Sequence, residues 1–374
     1  MQKYILSLLM LMSFGTRISA QGCVAIRTVG GLNTMEHAGM MHDGMHEGMK
    51  EVKDSSKWDL NISGRYFKSF RHYSGTTENT QRVTDGTDVR NFSRTMDVSL
   101  VRKLNEQWSI GIDLPFVYNE RTSLYEHVSS LKGSPRFSTY SQGLGDVRVS
   151  VYKWLIAPKA GSKGNLLGGL GIKLPTGNYK ATDVFHTSLT ATRVGPVDQS
   201  IQPGDGGWGV TMELNGFRAI NTAWSLYGNA YYLINPRGNN GVSTARGGVP
   251  TAAAIKYTSD VMSVPDQYLL RAGTNWTSNA FTASLGARFE CIPASDLIGD
   301  NTGFRRPGSV LALEPGANYN YKKYSFYLYA PIALKRERPQ SYPDILKTND
   351  TNVFSRGDAA FADYSINIGI GYKF

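Results

Sequence analysis

The sequence predicts an all-β fold, a twelve-stranded antiparallel transmembrane β-barrel with a flexible N-terminal periplasmic extension. Three observations predict it. From Trp58 onward, apolar and polar residues alternate with period two over twelve runs, the mark of strands with two unlike faces. The connections between those runs alternate strictly in length, as the periplasmic turns and external loops of outer-membrane barrels do. Downstream of residue 20 no stretch supplies the ~20 consecutive apolar residues that a transmembrane helix needs. Lipid admits only helices and closed barrels, because an open strand edge has no hydrogen-bond partner there.

At the front, Lys3 precedes an apolar run from Ile5 to Phe14, and small residues follow at Ser19 and Ala20. That layout reads as a secretory signal peptide over residues 1–20. Residues 21–56 lack alternation and form the extension, and residues 57–374 form the barrel. The strand runs are 57–70, 91–104, 107–121, 144–157, 164–176, 207–219, 223–235, 264–277, 280–292, 308–321, 323–337 and 358–374. Short links join them in pairs, at Asn105–Glu106, Pro158–Lys163, Ile220–Thr222, Ser278–Asn279 and Lys322. Long Gly-, Ser-, Thr- and Asn-rich links fall between the pairs, at 71–90, 122–143, 177–206, 236–263, 293–307 and 338–357. This sorting expects a location in the cell outer membrane of a Gram-negative bacterium, with both termini periplasmic.

Aromatic residues add a check. Trp58, Trp108, Trp154, Trp224 and Trp276 fall at the short-link ends and Trp208 at a long-link end, as an interfacial girdle requires. In the last run Tyr364, Ile366, Ile368, Ile370, Tyr372 and Phe374 alternate with small or polar residues. A final Phe after such a run resembles the signal read by the barrel-assembly machinery, the first expected partner. Outer-membrane lipids and lipopolysaccharide are the second, and a small-molecule solute is the third. No nucleic-acid partner is expected.

Composition agrees. The chain has 40 Gly and 21 Tyr but only 41% hydrophobic residues, because a polar-lumen barrel needs apolar side chains on one face of each strand. Two cysteines, Cys23 and Cys291, are too few for a disulfide framework. The net charge of +10 suits an anionic surface or anionic solutes.

Parity sorts the strand residues. Ile110, Ile112, Leu114 and Phe116, and likewise Val147, Val149 and Val151, should face lipid. The opposite parity carries Asp113, Asp146, Arg148, Lys173, Glu213, Arg271, Arg288, Glu290 and Glu314, together with Asp59, Arg65 and Asp97. These are the expected lumen-lining residues, either paired across a narrow interior or bordering a solute path. Tyr227, Tyr231, Tyr327 and Tyr329 share that parity and either fill the lumen or offer a stacking surface.

Two motifs carry a family resemblance. Gly143-Leu144-Gly145-Asp146-Val147 precedes Gly171-Ile172-Lys173-Leu174-Pro175-Thr176-Gly177, and the pair resembles an outer-membrane family named for the MetA pathway of phenol degradation. The resemblance covers about residues 58–374 and is sharpest over 143–177. It implies a transporter-like barrel associated with aromatic degradation, and it brings no catalytic residues. Pro175 is expected to end the ladder where the fifth strand leaves the membrane.

Residues 35–49 hold five of the 11 Met and three of the six His. Met35, His37, Met40, Met41, His42, Met45, His46 and Met49 combine thioether and imidazole donors suited to copper or silver ions. No cofactor is required otherwise. The expected function is therefore a passive or facilitated channel for small aromatic or anionic solutes. A metal-capturing barrel is the alternative. An outer-membrane hydrolase is a second alternative, but no motif ties His72, His127 or His186 to a Ser or Asp, so the chain is expected not to be an enzyme and catalytic residues are expected to be none.

Overall fold

The computed structural model describes residues 56–128, 132–157 and 162–374. The signal segment, Cys23 and the Met/His-rich segment 35–49 lie outside the described residues. Twelve antiparallel strands close into a barrel. They are β1 (Trp58–Ser74), β2 (Arg90–Lys103), β3 (Trp108–Ser123), β4 in two pieces (Phe137–Leu144 and Arg148–Trp154), β5 (Gly164–Lys173) and β6 (Gly209–Ala219). Then come β7 (Trp224–Ile234), β8 (Gln267–Ser278), β9 (Phe281–Ile292), β10 (Gly308–Tyr321), β11 in two pieces (Tyr324–Tyr329 and Ile332–Glu337) and β12 (Ala359–Lys373). Each strand pairs with its sequence neighbour, and β12 pairs back onto β1 from Asp59↔Lys373 to Tyr73↔Ala359. That last ladder removes both sheet edges, leaving no row of unpaired backbone groups.

The turns at one end are tight for a local reason. The Asn105 side chain accepts from Gln107 N and Trp108 N at 2.9 Å each. Asn221 repeats the device, accepting from Ala223 N at 2.9 Å and Trp224 N at 2.8 Å. An Asx turn of this kind satisfies the amides that a reversing chain exposes. At the other end the six long loops, L1 to L6 in order, carry structure of their own. L3, residues 174–208, contains a hairpin (Thr182–His186 with Thr192–Pro196) and a 3₁₀ turn (Gln199–Ile201). L4, residues 235–266, pairs Asn239–Ser243 with Val261–Ser263. L6 folds a helix, Tyr342–Thr351, opened by a capping box between Ser341 and Asp344. Among the described residues no helix is long and apolar enough to cross a membrane.

Outward parity holds for Ile110, Ile112, Phe116, Val149 and Val151, all exposed, with Leu114 half-buried. Val147 departs from it. It is buried, because β4 does not open at residue 144 but begins at Phe137 and breaks over 145–147. Register shifts across the break, with Phe116↔Leu144 on one side and Asp113↔Arg148 on the other. Trp154 stands at the short-link end as expected, at the close of β4, with the parity of the buried Tyr152, and meets Phe217 edge-on at 6.4 Å. β11 is interrupted at Ala330–Pro331. There Pro331, and Pro315 on the facing strand, both lack the N–H that a ladder uses.

Candidate functional site

The inward charges fall into two clusters. On β8 to β10, Glu314 takes Arg271 at 2.6 Å and Arg288 at 3.2 Å. Arg288 also holds Glu290 at 2.5 Å. Glu290 then reaches Arg65 on β1 at 3.3 Å, a contact between strands that are not neighbours and therefore spans the lumen. On β3 to β6, Arg148 holds Asp113 at 3.0 Å and approaches Glu213 at 3.6 Å. Lys173 bonds Asp205 of L3 and lies 3.7 Å from Asp146. Most of these side chains are less than a tenth exposed. A buried charge is tolerated only when paired, since removing one partner costs about 3–5 kcal/mol.

The tyrosines complete the clusters. The Arg148 guanidinium lies 5.4 Å from the Tyr231 ring, and that of Arg271 lies 5.9 Å from Tyr227 and 5.0 Å from Tyr329. Tyr327 Oη donates to Asn61 Oδ1 at 2.9 Å. The rings fit because glycines face them. A Cβ on Gly169 would sit 2.8 Å from the Tyr152 ring, and one on Gly316 would sit 2.6 Å from Tyr329. Glycine is needed where two groups approach this closely.

Beside the β3–β6 cluster lies a cavity of about 120 Å³. Asp113, Arg148, Lys173 and Tyr231 line it from the strands and Asp146 from the break in β4. Glu213 stands behind Arg148, while Arg271, Arg288, Glu290 and Glu314 do not reach the cavity. Pro115, Leu233, Gln267 and Ile292 add to it from the strands, and loops supply the other side: Gln199, Gln202 and Asp205 of L3, Ser263 of L4 and Arg306 of L5, residues 293–307. Alternating parity has no purchase in loops, so sequence reasoning missed these residues.

L3 enters the barrel mouth as an inward arm. Its Asp198 accepts both terminal nitrogens of Arg306, at 2.8 and 2.7 Å, and lies 3.5 Å from Arg121. Burial opposes ionisation of Asp198, but the two guanidinium groups outweigh it and hold the carboxyl well below the usual range. Asn119 donates to the Ile201 carbonyl at 3.2 Å, and Gln199 donates to the Ser263 carbonyl at 2.6 Å.

Two histidines in and near the loops accept from backbone amides, and the His186 ring stacks on Phe137 with centroids 3.7 Å apart. His72 Nε2 accepts from Val89 N at 2.8 Å while its Nδ1 lies 3.1 Å from Asp358. His127 Nδ1 accepts from His186 N at 3.1 Å. Among the described residues no three His, Cys, Asp or Glu side chains gather as a metal site would require.

The geometry has a counterpart among solved structures. The chain is similar in fold to an outer membrane channel from Pseudomonas putida F1, with a TM-score of 0.58 and 11% identity over 88% of this chain and 99% of that one. Lower likenesses link it to the translocator domain of the autotransporter NalP from Neisseria meningitidis (TM-score 0.43, 14% identity, 91% and 97% covered). A further one is to the Ralstonia pickettii toluene transporter TbuX (TM-score 0.42, 10% identity, 96% and 99% covered). The fold is that of an outer-membrane β-barrel. No protein-family model and no curated protein matches the chain, so the motifs at 143–177 remain a resemblance.

Proposed function

We propose that this chain is an outer-membrane channel for small solutes, aromatic or anionic molecules among them, with both termini periplasmic and the long loops outside. The observation that carries the reading is the cavity beneath the L3 arm, inside a closed barrel and bordered by Arg148, Lys173, Arg306 and the Tyr231 ring. Its volume of about 120 Å³ is of the order of the ~150 Å³ cavity known to hold benzene. Each cation is held by an aspartate, Arg148 by Asp113, Lys173 by Asp205 and Arg306 by Asp198, so an anionic solute would exchange with those carboxylates, and the ring suits an aromatic face. The fold likeness to an outer membrane channel supports the same reading.

Liposomes containing the purified barrel should swell in isotonic small aromatic acids faster than empty liposomes. Equal rates for every solute would end the channel reading. A single cysteine replacing Asn349, in a background lacking Cys23 and Cys291, should label on intact cells; labelling only after lysis would reverse the orientation. The Met/His-rich segment supports a second role, capture of Cu(I) or Ag(I) at the periplasmic side. A synthetic 35–49 peptide should compete with a chelator for Cu(I), and binding no tighter than that of a Met→Leu, His→Ala control would reduce the segment to a linker.

A further inference from the structure

The break in β4 and the two sequence motifs around it form one unit. A continuous β4 would pair with β5 through backbone alone. Instead the Thr176 hydroxyl stands in for the missing ladder, accepting from Val147 N at 2.9 Å and donating to the Gly145 carbonyl at 2.8 Å. The Asp146 side chain is thereby freed to turn toward L3. Its Oδ1 accepts from Gly177 N and its Oδ2 from Asp205 N, each at 3.0 Å. Those two amides belong to the outgoing and returning ends of L3. The ends touch: a Cβ on Gly177 would sit 2.7 Å from Gly204 Cα, and one on Gly204 would sit 2.6 Å from Asp146 Oδ1. Between this knot and the Asp198–Arg306 pair run the residues of L3 that face the cavity.

We propose that Thr176 and Asp146 are positioning residues that seat the inward arm of L3, residues 198–206, and so set the aperture of the cavity. Thr176 stands off the cavity lining and acts through the arm, while Asp146 borders the cavity with the same carboxylate that holds both ends of L3. The electrical part of the test rests on the channel reading, and the chemical part does not. Ser200 lines the cavity on the arm, so a Ser200→Cys reporter in a background lacking Cys23 and Cys291 reads how tightly the arm is seated.

Thr176→Val keeps the side-chain shape and removes both hydroxyl bonds. Gly204→Ala disturbs the knot from the loop side and leaves every barrel strand unchanged. In both variants the reporter thiol should react with a polar thiol reagent at least tenfold faster than in the parent, and both should show larger single-channel conductance. Thr176→Ser should restore the parental labelling rate, which a loss of general packing would not allow. Heat-modifiable migration on a gel identifies the folded barrel, and Gly204→Ala carries the test if Thr176→Val does not assemble. Parental labelling rates in the folded variants overturn the proposal, as does altered current with unaltered labelling. Faster labelling with no current in any variant upholds the proposal and overturns the channel reading.

Discussion

Glu314 and Asp113 each hold an arginine inside the same barrel, and their surroundings differ. Glu314 is shared by Arg271 and Arg288, and the chain of contacts continues through Glu290 to Arg65 across the lumen. Asp113 holds Arg148, whose other neighbours are Glu213 and the Tyr231 ring, and a cavity opens beside it. Both clusters obey the same rule, that a charge in a closed interior finds a counter-charge. What separates them is the loop that returns into the lumen. L3 lines the space on the β3–β6 side, whereas between β9 and β1 the side chains of Glu290 and Arg65 meet directly. Inward parity therefore decides which charges pair, and loop insertion decides where space is left.

The largest effect should come from the crowded cluster. Glu314→Ala removes the carboxylate that Arg271 holds and leaves Arg288 with Glu290 alone, and should lower unfolding stability by about 3–5 kcal/mol, read as a shift in urea midpoint in vesicles. Asp113→Ala should cost less, about 1–3 kcal/mol, since Arg148 keeps Glu213 within 3.6 Å. If Asp113→Ala costs the same or more, the two clusters are not different in kind.

The glycine seats make the next test. Tyr227 Oη lies over Gly273 and Gly286, so Gly286→Ala overpacks the wall and should cost about 1–3 kcal/mol. In a Tyr227→Phe background part of that cost should vanish. An equal cost in both backgrounds would mean that the ring and the glycine are not coupled.

Acid should act at the loop end. Burial works against ionisation of Asp358, but the His72 bond and the nearby Arg82 and Arg306 charges outweigh it and hold its pKa lowered to about 2. A carboxyl with a lowered pKa stabilises the fold above its unfolded value of ~3.9 and loses that contribution as pH falls through the folded value. The stability advantage of the parent over Asp358→Asn should therefore shrink by about 1–2 kcal/mol between about pH 4 and pH 2. A difference that stays constant over that window would remove Asp358 from the acid response. At the small end, the exposed Lys256–Asp350 pair, 2.6 Å apart, ties L4 to L6 at the surface. Lys256→Ala should leave the midpoint unmoved, and a measurable loss would show that the loop crown is held from outside as well as by the L3 arm.

Much of the wall was legible in the sequence because one face of each strand is apolar. Ile110, Ile112 and Phe116 announce their parity, and their neighbours Asp113 and Arg148 follow from it. The first half of β4 was not legible. Phe137–Leu144 reads FSTYSQGL, and with polar residues on both faces no hydrophobic alternation marks it as strand. Val147 was placed outward for the same reason: a break in register reverses parity, and only the Thr176 hydroxyl, far off in sequence, reveals the break. Prolines were a signal left unused. Pro115 accepts from Gly145 N at 2.7 Å and Pro315 from Ala330 N at 3.0 Å, so both in-strand prolines face an interruption in the partner strand. The nine charges expected inside are brought together in two groups, four of them at the cavity. The loop half of the cavity, with Gln199, Asp205 and Arg306, depends on chain reversals that no short-range periodicity encodes.

Whether solute passes through the cavity is tested most directly by blocking it. Gln267, at the start of β8, lines the cavity and is replaced by cysteine in a background lacking Cys23 and Cys291. The barrel is placed in a planar bilayer and a bulky methanethiosulfonate, which leaves a reducible mixed disulfide on the cysteine, is added from the long-loop side. Discrete current steps that fall to baseline on labelling, and recover on reduction, are the predicted result. A current that persists unchanged after complete labelling would show that solute takes another route and would contradict the assignment of the cavity as the path.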